Sequence, residues 1–546
     1  MKNDFCSPSY MSQLEQLRSF RHMNILDQMT RGIEKENIRV NAWGVPARTP
    51  HPQILGSSLC NPSITTDFSE NMIECITTPV TGVGGRDQLF AQLADVTYFI
   101  MKALEQQKEK EFLWPYSMPY LPDALSANAF DIAYYGDSCE GRLKTLYRHG
   151  LSLRYGKAMQ CIAGLHYNFS FPEKLLLALR PVNTQCNDNQ LPSDKRIITQ
   201  RYLGVIRNTL KHAWLLQCLW GATPVCYAGS LLDEMFAGGN VDLGLELINE
   251  VFVTSQIPSL RLSEIGYSVP DQCNFNVKYQ SINDYVTTLS SIIQTQSKQF
   301  SQIPTKDVLG HFQQISPNQL QNEAEFYNVI RPKSVPGPNQ NPLHHLKYNG
   351  IDYLEYRGLD LMPGAPLGIT KEMSIFLDLF FMHMLLQSTD DGDNQFPPYL
   401  DGVVIKDQHG CVALLPKIQK DAMALLESMS ELAAVMDECE TSDNPQYQQV
   451  LKKQINKINN IAQLPFLQLV DRWQASSKTF TQYICDQMKR NKDEIAQAYA
   501  DIEYNQAQYR QQAEASCRDF LHQDKKKLSL DFEQYLMAYT KSLIIQ

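Results

Sequence analysis

Arg31-Gly-Ile-Glu-Lys-Glu-Asn-Ile-Arg-Val40 is a strand-like segment that carries acidic residues, and this combination decides the prediction of the fold. Side chains on a β-strand alternate between the two faces of the sheet. Glu34 and Glu36 therefore share one face, with Lys35 and Arg39 on the other. Two interpretations stay open: an edge strand whose glutamates lie in water, or a buried strand on which the glutamates meet other acidic side chains.

The second acidic segment runs Thr65-Thr-Asp-Phe-Ser-Glu-Asn-Met-Ile-Glu-Cys-Ile-Thr77. As a helix, it would place Asp67, Glu70 and Glu74 on one face. As a strand, it would place Glu70 and Glu74 on one face and Asp67 in the turn before it. The proline that follows, Pro79, favours the end of a strand, because proline cannot donate a hydrogen bond to a sheet.

The third acidic segment, Gly350-Ile-Asp-Tyr-Leu-Glu-Tyr-Arg357, is predicted to be a strand on which Glu355 and Arg357 project together. These two residues form either a structural ion pair, or a metal-binding carboxylate beside a guanidinium that binds phosphate. Arginine suits the second role because its planar fork can donate two hydrogen bonds to oxygen atoms.

The segment 164–172 is a further strand candidate with one polar and one aromatic face. His166 shares a face with Asn168, whereas Tyr167 and Phe169 face the other way. The histidine is either a hydrogen-bonded core residue or a metal ligand, since neutral imidazole serves both roles.

Acidic side chains that converge inside a sheet point to a particular chemistry. Buried carboxylates repel one another and lose hydration, so cations must compensate them. Oxygen ligands suit Mg²⁺ or Mn²⁺, and a magnesium site usually also holds substrate phosphates. The sequence therefore indicates phosphoryl transfer.

Composition and charge narrow the class of protein. The chain has 546 residues, of which 43% are hydrophobic and 20% charged, the balance of a globular protein with a large core. Its net charge of −10 argues against a general nucleic-acid-binding surface, which needs clustered lysine and arginine. ATP binding in a locally basic cleft is compatible with this charge.

The sequence also predicts where the protein resides. The first ten residues lack the apolar core of a signal peptide. Residues 212–232 and 375–386 are apolar, but polar interruptions and short length favour buried helices over membrane spans. The 13 cysteines form no CxxC pair and no Cys/His metal spacing, which indicates reduced thiols. We therefore expect a cytoplasmic protein that does not contact membranes.

Helical and strand-like segments alternate without a regular βαβ rhythm, which favours an α+β fold. Residues 14–29, 88–111 and 201–219 show helical spacing of apolar residues, and residues 348–361 are predicted to form a strand. The prolines in residues 114–122 predict a loop.

The chain changes character after about residue 438. From there it is rich in Gln, Lys, Glu, Asp and Ala and poor in Gly, with helical spacing of isoleucines. We predict a catalytic α+β domain over residues 1–438 and a helical C-terminal region over residues 439–546 that packs on it.

Glycine-rich phosphate loops are missing from the sequence. It contains no GxxxxGK[ST] motif, no convincing GxGxxG after a strand and no protein-kinase motif set. ATP is therefore predicted to bind through metal ions and arginines.

Taken in order, these segments resemble the bacterial glutamate–cysteine ligases (γ-glutamylcysteine synthetases). The matching motifs are RGIEKENIRVN (31–41), ITTDFSENMIECITTP (64–79), WPYSMP (114–119), GRLKTLYRHGL with RYG (141–156), GLHYNFSFP (164–172), IRN (206–208), SLRLSEIGY (259–267), EFYNVIRPK (325–333) and GIDYLEYRGLDL (350–361). Each motif alone is modest, but their common order and spacing are specific. From about residue 390 onward the resemblance is weak.

The resemblance implies a glutamine-synthetase-like fold, in which a curved, mostly antiparallel sheet forms a funnel and helices pack outside it. It implies metal ligation by Glu34, Glu36, Asp67, Glu74, His166 and Glu355. It implies an amino-acid substrate pocket lined by Tyr147, Ile162, Arg261, Tyr267 and Tyr327. Arg357 matches a catalytic arginine that contacts phosphate. Arg331 and Lys333 lie in the IRPK match, and we infer that they add positive charge near phosphate.

The implied reaction converts ATP, L-glutamate and L-cysteine to γ-glutamylcysteine, ADP and phosphate through a γ-glutamyl phosphate, the first step of glutathione synthesis. ATP is then a co-substrate and Mg²⁺, or Mn²⁺, the cofactor. The expected partners are these small molecules, without nucleic acid, and the protein is expected to be a monomer or a weak oligomer. No second ligase region is evident at the C-terminus, so a separate enzyme is expected to complete glutathione.

The sequence departs from the family pattern at two positions. Cys75 follows Glu74 where a larger apolar residue is expected, and Gly358 follows Arg357 where serine is usual. Neither change removes a predicted ligand. Three rival functions stay open: a ligase that joins glutamate to another amine, a guanidine kinase of the same fold, and an inactive regulatory relative. Suitable residues at all the predicted ligand positions argue against the inactive relative.

Overall fold

The computed structural model describes most of the chain, and every contact below lies within the described residues. These are residues 8–121, 130–179, 188–227, 245–263, 265–266, 272, 275–335, 337, 341–388, 402–406, 412–439, 446–499, 503–527 and 531–545.

The described strands are β1 (Thr30–Val40), β2 (Ile64–Thr66), β3 (Met72–Ile76), β4 (Phe112–Leu113), β5 (Leu165–Ser170), β6 (Val225–Tyr227), β7 (Glu246–Ile248), β8 (Val251–Val253), β9 (Ile330–Lys333), β10 (Tyr353–Leu359), β11 (Val404–Lys406) and β12 (Val412–Leu414). The described α-helices are α1 (Pro8–Ser19), α2 (Gly85–Glu105), α3 (Cys139–Tyr155), α4 (Lys157–Gln160), α5 (Glu173–Ala178), α6 (Ser193–Trp220), α7 (Ile282–Gln294), α8 (Pro342–Asn349), α9 (Lys371–Leu386), α10 (Pro416–Ser428), α11 (Ser430–Cys439), α12 (Tyr447–Asn459), α13 (Pro465–Ala475), α14 (Phe480–Tyr499), α15 (Glu503–Lys527) and α16 (Phe532–Ser542).

A seven-stranded sheet lies at the centre of the described structure. Its strands follow the order β2-β3-β1-β5-β10-β9, and β4 pairs with the end of β1. Each of these pairs is antiparallel. The prediction of a mixed fold with a mostly antiparallel sheet is confirmed.

The register of the sheet places the predicted site residues on one face. Glu34 lies opposite His166, Glu36 lies opposite Glu74, and Glu355 pairs with β9 on one side and β5 on the other. We call the sheet face that carries these five side chains the acidic face. Since β1 is flanked by β3 and β5, the edge-strand interpretation of β1 is wrong.

The opposite face of the sheet, the back face, buries basic residues against helices. Arg31 pairs with Asp378 of α9 at 2.8 Å, and Arg39 pairs with Glu111 at 2.6 Å. These four side chains are almost completely buried, so each charge has a partner in the low-dielectric interior. The back face is therefore fixed by ion pairs as well as by apolar packing.

Helix α2 covers the back face, and the apolar spacing of its sequence explains why it forms there. Leu89, Leu93, Val96 and Ile100 recur at helical spacing and are completely buried. The helix packs against β1 and β3 and ends at Glu105, earlier than the predicted residue 111. The residues that follow, 107–110, are mostly exposed and have no apolar stripe that could extend the packing.

Other predicted elements also differ from the structure in their bounds. The predicted strand 348–361 begins only at Tyr353, because α8 occupies the residues before it. Asn341 caps this helix by accepting hydrogen bonds from the N–H groups of the first turn, Pro342 opens it, and Gly350 ends it with φ +72°. The predicted helix 14–29 ends at Ser19 and continues as two short 3₁₀ turns.

A β-bulge accounts for the glycine that departs from the family pattern. The register between β10 and β5 shifts between Tyr356 and Leu359. A Cβ atom at Gly358 would lie 2.6 Å from the hydroxyl oxygen of Tyr356, whose side chain is completely buried. A serine at this position would therefore require Tyr356 to move.

From Tyr447 to Ser542, the described secondary structure is helical. Helices α14 and α15 pack on α2, α12 packs on α9, and α16 packs on α3. The boundary at residue 438 stays a prediction. No helix in the described ranges is both long and apolar enough to cross a lipid bilayer.

Candidate active site

The acidic face brings four of the predicted metal ligands into contact. His166 Nδ1 lies 3.1 Å from Glu34 Oε2, and His166 Nε2 lies 3.6 Å from Glu36 Oε1. Ligand atoms of Glu34, Glu74 and His166 all lie within 4.8 Å of one another. Glu36 and Glu74 are direct cross-strand partners, and like charges in this position destabilise a sheet unless they are compensated.

The pKa values of these carboxyl groups diverge because their surroundings differ. Burial, together with the charges of Glu34, Asp67 and Glu36, raises the pKa of Glu74 well above its ordinary value. Burial also raises the pKa of Glu36. Burial is the largest influence on Glu34 and opposes its ionisation, but the hydrogen bond with His166 and the charges of His166 and Lys333 together lower the pKa of Glu34.

Glu355 lies at the basic end of the acidic face. Its Oε1 atom is 3.3 Å from Arg357 Nη1, 3.5 Å from Lys333 Nζ and 3.9 Å from His166 Nδ1. Burial opposes its ionisation, but these three groups together hold the pKa of Glu355 well below its ordinary value. Its other oxygen, Oε2, is buried and has no hydrogen-bond partner among the described residues.

This set of donor atoms fits a divalent cation. Carboxylate oxygens are the ligands that Mg²⁺ and Mn²⁺ prefer, and a neutral imidazole can join them. The raised pKa of Glu74 shows a carboxyl group that lacks compensating positive charge, and Oε2 of Glu355 is a buried acceptor without a partner among the described residues. A cation at this position would supply that charge.

Removal of one crowded carboxylate should stabilise the metal-free protein. The pKa of Glu74 is higher in the folded protein than in the unfolded chain, so the folded protein holds this proton more tightly. The contribution of Glu74 to the free energy of unfolding is therefore fully present below the unfolded-state pKa of about 4.3, and it is lost as the pH rises through the folded-state pKa. In a chelator at neutral pH, Glu74→Gln should therefore raise the Tm by about 2–4 °C. The gain in Tm should be smaller at pH 5, and differential scanning calorimetry measures the Tm at both pH values.

The same variant tests the metal site. Addition of Mg²⁺ should raise the Tm of the wild type more than that of Glu74→Gln, because binding to the folded state alone stabilises it. Glu15→Gln, at the surface, is the matched control and should respond like the wild type. Equal Mg²⁺ responses in all three proteins would contradict the assignment of Glu74 as a ligand.

Asp67 lies in the turn between β2 and β3, as the strand interpretation predicts. Its Oδ1 atom is 3.5 Å from Arg148 Nη2, and Arg148 also donates to the Asp67 backbone carbonyl. Glu70 does not join the acidic face. Its carboxylate accepts hydrogen bonds from the backbone N–H groups of His51 at 2.8 Å and Tyr134 at 2.9 Å, so Glu70 fixes local backbone.

A cavity lies beside the acidic face. Its lining residues are Glu36, His166, Arg261, Leu262, Tyr327, Asn328, Val329 and Arg357. Arg261 donates from Nη2 to the backbone carbonyl of Arg357 at 3.0 Å, and the Tyr327 hydroxyl is hydrogen-bonded to the Gln160 side chain. Predicted metal, phosphate and substrate residues therefore share one cavity.

The other predicted site residues are placed differently. Tyr147 is half-buried on α3, and Ile162 is completely buried after α4; neither lines this cavity. Arg331 stands on β9 opposite Glu355 and donates from Nη2 to the Ala324 carbonyl at 2.9 Å. Tyr267 lies outside the described residues.

The structure adds two polar residues that sequence reasoning did not assign to the site. Asn168 donates to Glu34 Oε1 at 2.9 Å, and its shared strand face with His166 was the signal that could have identified it. Asp360 is completely buried, with Oδ1 3.8 Å from Arg261 Nη1. No sequence pattern indicates Asp360, because its partners lie far away along the chain.

An antiparallel sheet that gathers carboxylates and a histidine beside arginines, next to a cavity, is typical of enzymes that transfer phosphoryl groups with divalent cations. Comparison with known proteins narrows this class. The family model of glutamate–cysteine ligases matches residues 14–396, so the chain belongs to the glutamate–cysteine ligase family. The family and the enzyme class predicted from the sequence are confirmed.

Curated relatives are similar to this chain over nearly its full length. The glutamate–cysteine ligase of Alcanivorax borkumensis is 33% identical over 525 residues, which cover 93% of this chain and 95% of the relative. That of Pseudomonas fluorescens is 32% identical over 557 residues, covering 100% of this chain and 99% of the relative. The similarity therefore includes the C-terminal helices.

Solved structures show the same architecture. The glutamate–cysteine ligase of Francisella tularensis, crystallised in complex with AMP, has a TM-score of 0.80 at 28% identity and covers 94% of this chain and 98% of its own. A bifunctional glutathione synthetase from Pasteurella multocida has a TM-score of 0.61 at 21% identity, covering 88% of this chain and 53% of its own. The second likeness concerns the fold alone.

Proposed function

We propose that this chain uses ATP to join the γ-carboxyl group of L-glutamate to the amino group of L-cysteine, giving γ-glutamylcysteine, ADP and phosphate. This reaction is the first step of glutathione synthesis. One observation carries the proposal: a single cavity is lined by Glu36 and His166 of the acidic face, by Arg357, and by Arg261 and Tyr327. Family membership gives the same reaction.

The metal site is part of this proposal. The residues that would hold Mg²⁺ or Mn²⁺ are Glu34, Glu36, Asp67, Glu74, His166 and Glu355. Bound divalent cations would neutralise the phosphates of ATP, whose charge otherwise repels an attacking carboxylate. The hydrogen bond from Asn168 and the contact with His166 fix the orientation of Glu34 for this role.

Arg357 is the residue that we assign to the transferring phosphoryl group. Burial opposes its charge, but Glu355, Glu36 and Glu34 raise its pKa, so the guanidinium stays ionised beside the cavity. A carboxylate is a poor acyl donor, so a γ-oxygen of glutamate first attacks the γ-phosphorus of ATP, and ADP leaves. Arg357 then stabilises charge on the phosphoryl oxygens, and Lys333 adds positive charge on the same face.

In the second half of the reaction, the cysteine amine attacks the acyl carbon of γ-glutamyl phosphate and phosphate leaves. The amine must lose a proton in this step. Water must be kept away, because it would hydrolyse the acyl phosphate. Leu262 and Val329 provide apolar surface in the cavity wall.

The acceptor pocket gives a further prediction. Tyr147, Tyr267 and Tyr327 are proposed to hold cysteine, and Tyr327 lines the cavity with its hydroxyl bonded to Gln160. Tyr327→Phe should raise the KM for cysteine much more than the KM for ATP or glutamate, because it removes a hydroxyl from one substrate pocket only. Steady-state kinetics with each substrate varied in turn measures the difference.

Tyr98→Phe, on the outer helix α2, is the control and should leave all three constants unchanged. The proposed pocket should also accept 2-aminobutyrate, in which a methyl group replaces the thiol, and reject bulky amines. Equal changes of KM for all three substrates, or efficient coupling of a polyamine, would favour a ligase with another acceptor.

We also propose the finer features of the architecture. The central sheet would curve into the funnel of a glutamine-synthetase-like fold, with residues 1–438 as the catalytic domain and residues 439–546 as its helical flank. The cytoplasmic location and the monomeric or weakly oligomeric state stay predictions. Cell fractionation and light scattering of the full chain measure them.

One assay separates the proposed reaction from its rivals. The full chain is supplied with ATP, Mg²⁺, glutamate and a panel of amines, and phosphate release and product mass are measured. Phosphate and γ-glutamylcysteine, formed with cysteine in preference to other amines, are the expected products. A different preferred amine indicates another ligase, a phosphorylated guanidine without amide indicates a kinase, and no turnover indicates an inactive relative.

A further inference from the structure

A second cavity lies on the back face of the sheet and has no part in the proposed reaction. It is lined by residues of β1, α2, β4, the loop 361–368 and the C-terminal helix α14. Its walls include apolar side chains of Met101, Phe112, Met488 and Ile495. We call it the back cavity. The back cavity therefore lies between the central sheet and the helical C-terminal region.

Lys35 lines the back cavity, and its amine is under-used as a hydrogen-bond donor. The residue is only 2% exposed. Its Nζ atom donates to Thr97 Oγ1 at 3.1 Å, and the Thr97 hydroxyl donates in turn to the Leu93 carbonyl. No carboxylate pairs with Lys35 among the residues that the structure describes. At least one N–H donor of this buried amine therefore has no acceptor among the described residues, in either charge state.

The other polar groups around the back cavity are already engaged. Glu111 is bound by Arg39 at 2.6 Å, and Lys492 by Glu105 at 2.7 Å. Asn37 donates to the Trp114 carbonyl. Lys35 is thus the polar group in these walls that most lacks a partner, and buried polar groups in native proteins are generally satisfied.

The size of the back cavity limits what can satisfy Lys35. The centres of water-sized spheres can occupy about 40 Å³ of it. A buried water needs about 10–15 Å³ of such space, so the cavity can hold about three waters or one small molecule. Apolar side chains beside an under-used donor favour a molecule with an acceptor group and a short apolar body.

We propose that the back cavity is a binding site for a short-chain carboxylate, whose oxygens accept hydrogen bonds from Lys35 and whose carbon atoms contact Met101, Met488 and Ile495. This site lies on the other face of the sheet from the acidic face. It is therefore independent of the proposed function and can be occupied or empty while the reaction proceeds. A carboxylate in the site would link β1 to α14.

Methyl NMR of the full chain tests this site directly. The protein has 18 methionines, of which Met101 and Met488 lie in the walls of the back cavity. With ¹³C-methyl-methionine labelling, and both signals assigned by Met→Leu variants, propionate should shift the two signals saturably. Propylamine and sodium chloride, at equal ionic strength, should not shift them.

Two variants decide whether the shifts report the proposed contacts. Lys35→Leu removes the amine and Ile495→Phe fills the cavity from α14 without changing β1; each should abolish the propionate shifts. Ile495→Phe keeps the test valid if Lys35→Leu does not fold. Absence of shifts up to tens of millimolar propionate, or shifts that persist in either folded variant, would overturn the proposal and leave the back cavity to water.

Discussion

Glu355→Gln is expected to reduce turnover by on the order of 10²-fold, about 2.7 kcal/mol in the activation barrier. The substitution keeps the size of the side chain and removes its charge. That charge sits within 3.3–3.5 Å of Arg357 and Lys333, and its free oxygen Oε2 is the best-placed orphan acceptor for a cation. Loss of the charge should weaken metal binding and also remove the nearest carboxylate from Arg357 and Lys333.

The measurement is kcat at saturating ATP, glutamate and cysteine over a series of Mg²⁺ concentrations. The Mg²⁺ concentration for half-maximal activity should rise in the variant. Glu533→Gln is the matched control, because this exposed glutamate lies on helix α16, outside the sheet, and pairs with Lys306. If Glu355→Gln has wild-type activity at saturating Mg²⁺, Glu355 is not a ligand.

Arg357→Lys should reduce kcat by at least ~10-fold, a barrier increase of about 1.4 kcal/mol or more. Lysine keeps the positive charge beside Glu355 but loses the planar fork that can hold two phosphoryl oxygens. Because the interaction strengthens in the transition state, the loss should appear in kcat more than in the KM for glutamate.

Arg18→Lys, at the surface beside Glu15 and Glu438, is the control for an arginine in an ion pair. It should leave kcat unchanged. A kinetically neutral Arg357→Lys, with the Tm also unchanged, would mean that Arg357 is a structural partner of Glu355 and does not contact phosphate.

Local sequence patterns predicted which side chains share a strand face, but not how the strands assemble into the acidic face. The period of two in β1, β5 and β10 correctly grouped Glu34 with Glu36 and Glu355 with Arg357, because alternation is a property of the strand itself. The resemblance to glutamate–cysteine ligases supplied the family. The roles of these residues stay predictions, since geometry shows only that they meet.

Long-range pairing could not be derived from one sequence. Glu36 accepts a hydrogen bond from the N–H group of Gly164, 128 residues away, and no local pattern encodes such a register. For the same reason Asp360, which approaches Arg261, gave no signal. The helix before β10 was not predicted: no element was assigned to its Asn-Pro start, and its glycine end, Gly350, lies inside the segment 348–361 that was interpreted as a strand.

The most direct test of the γ-glutamyl phosphate mechanism is isotope transfer from glutamate to phosphate. The full chain is incubated with ATP, Mg²⁺, cysteine and glutamate that carries ¹⁸O in its γ-carboxyl group, and the products are analysed by mass spectrometry. The proposed mechanism predicts one ¹⁸O atom in each phosphate released together with γ-glutamylcysteine, because the attacking carboxylate oxygen leaves with the phosphoryl group. Unlabelled phosphate, or phosphate release without amide formation, would contradict it.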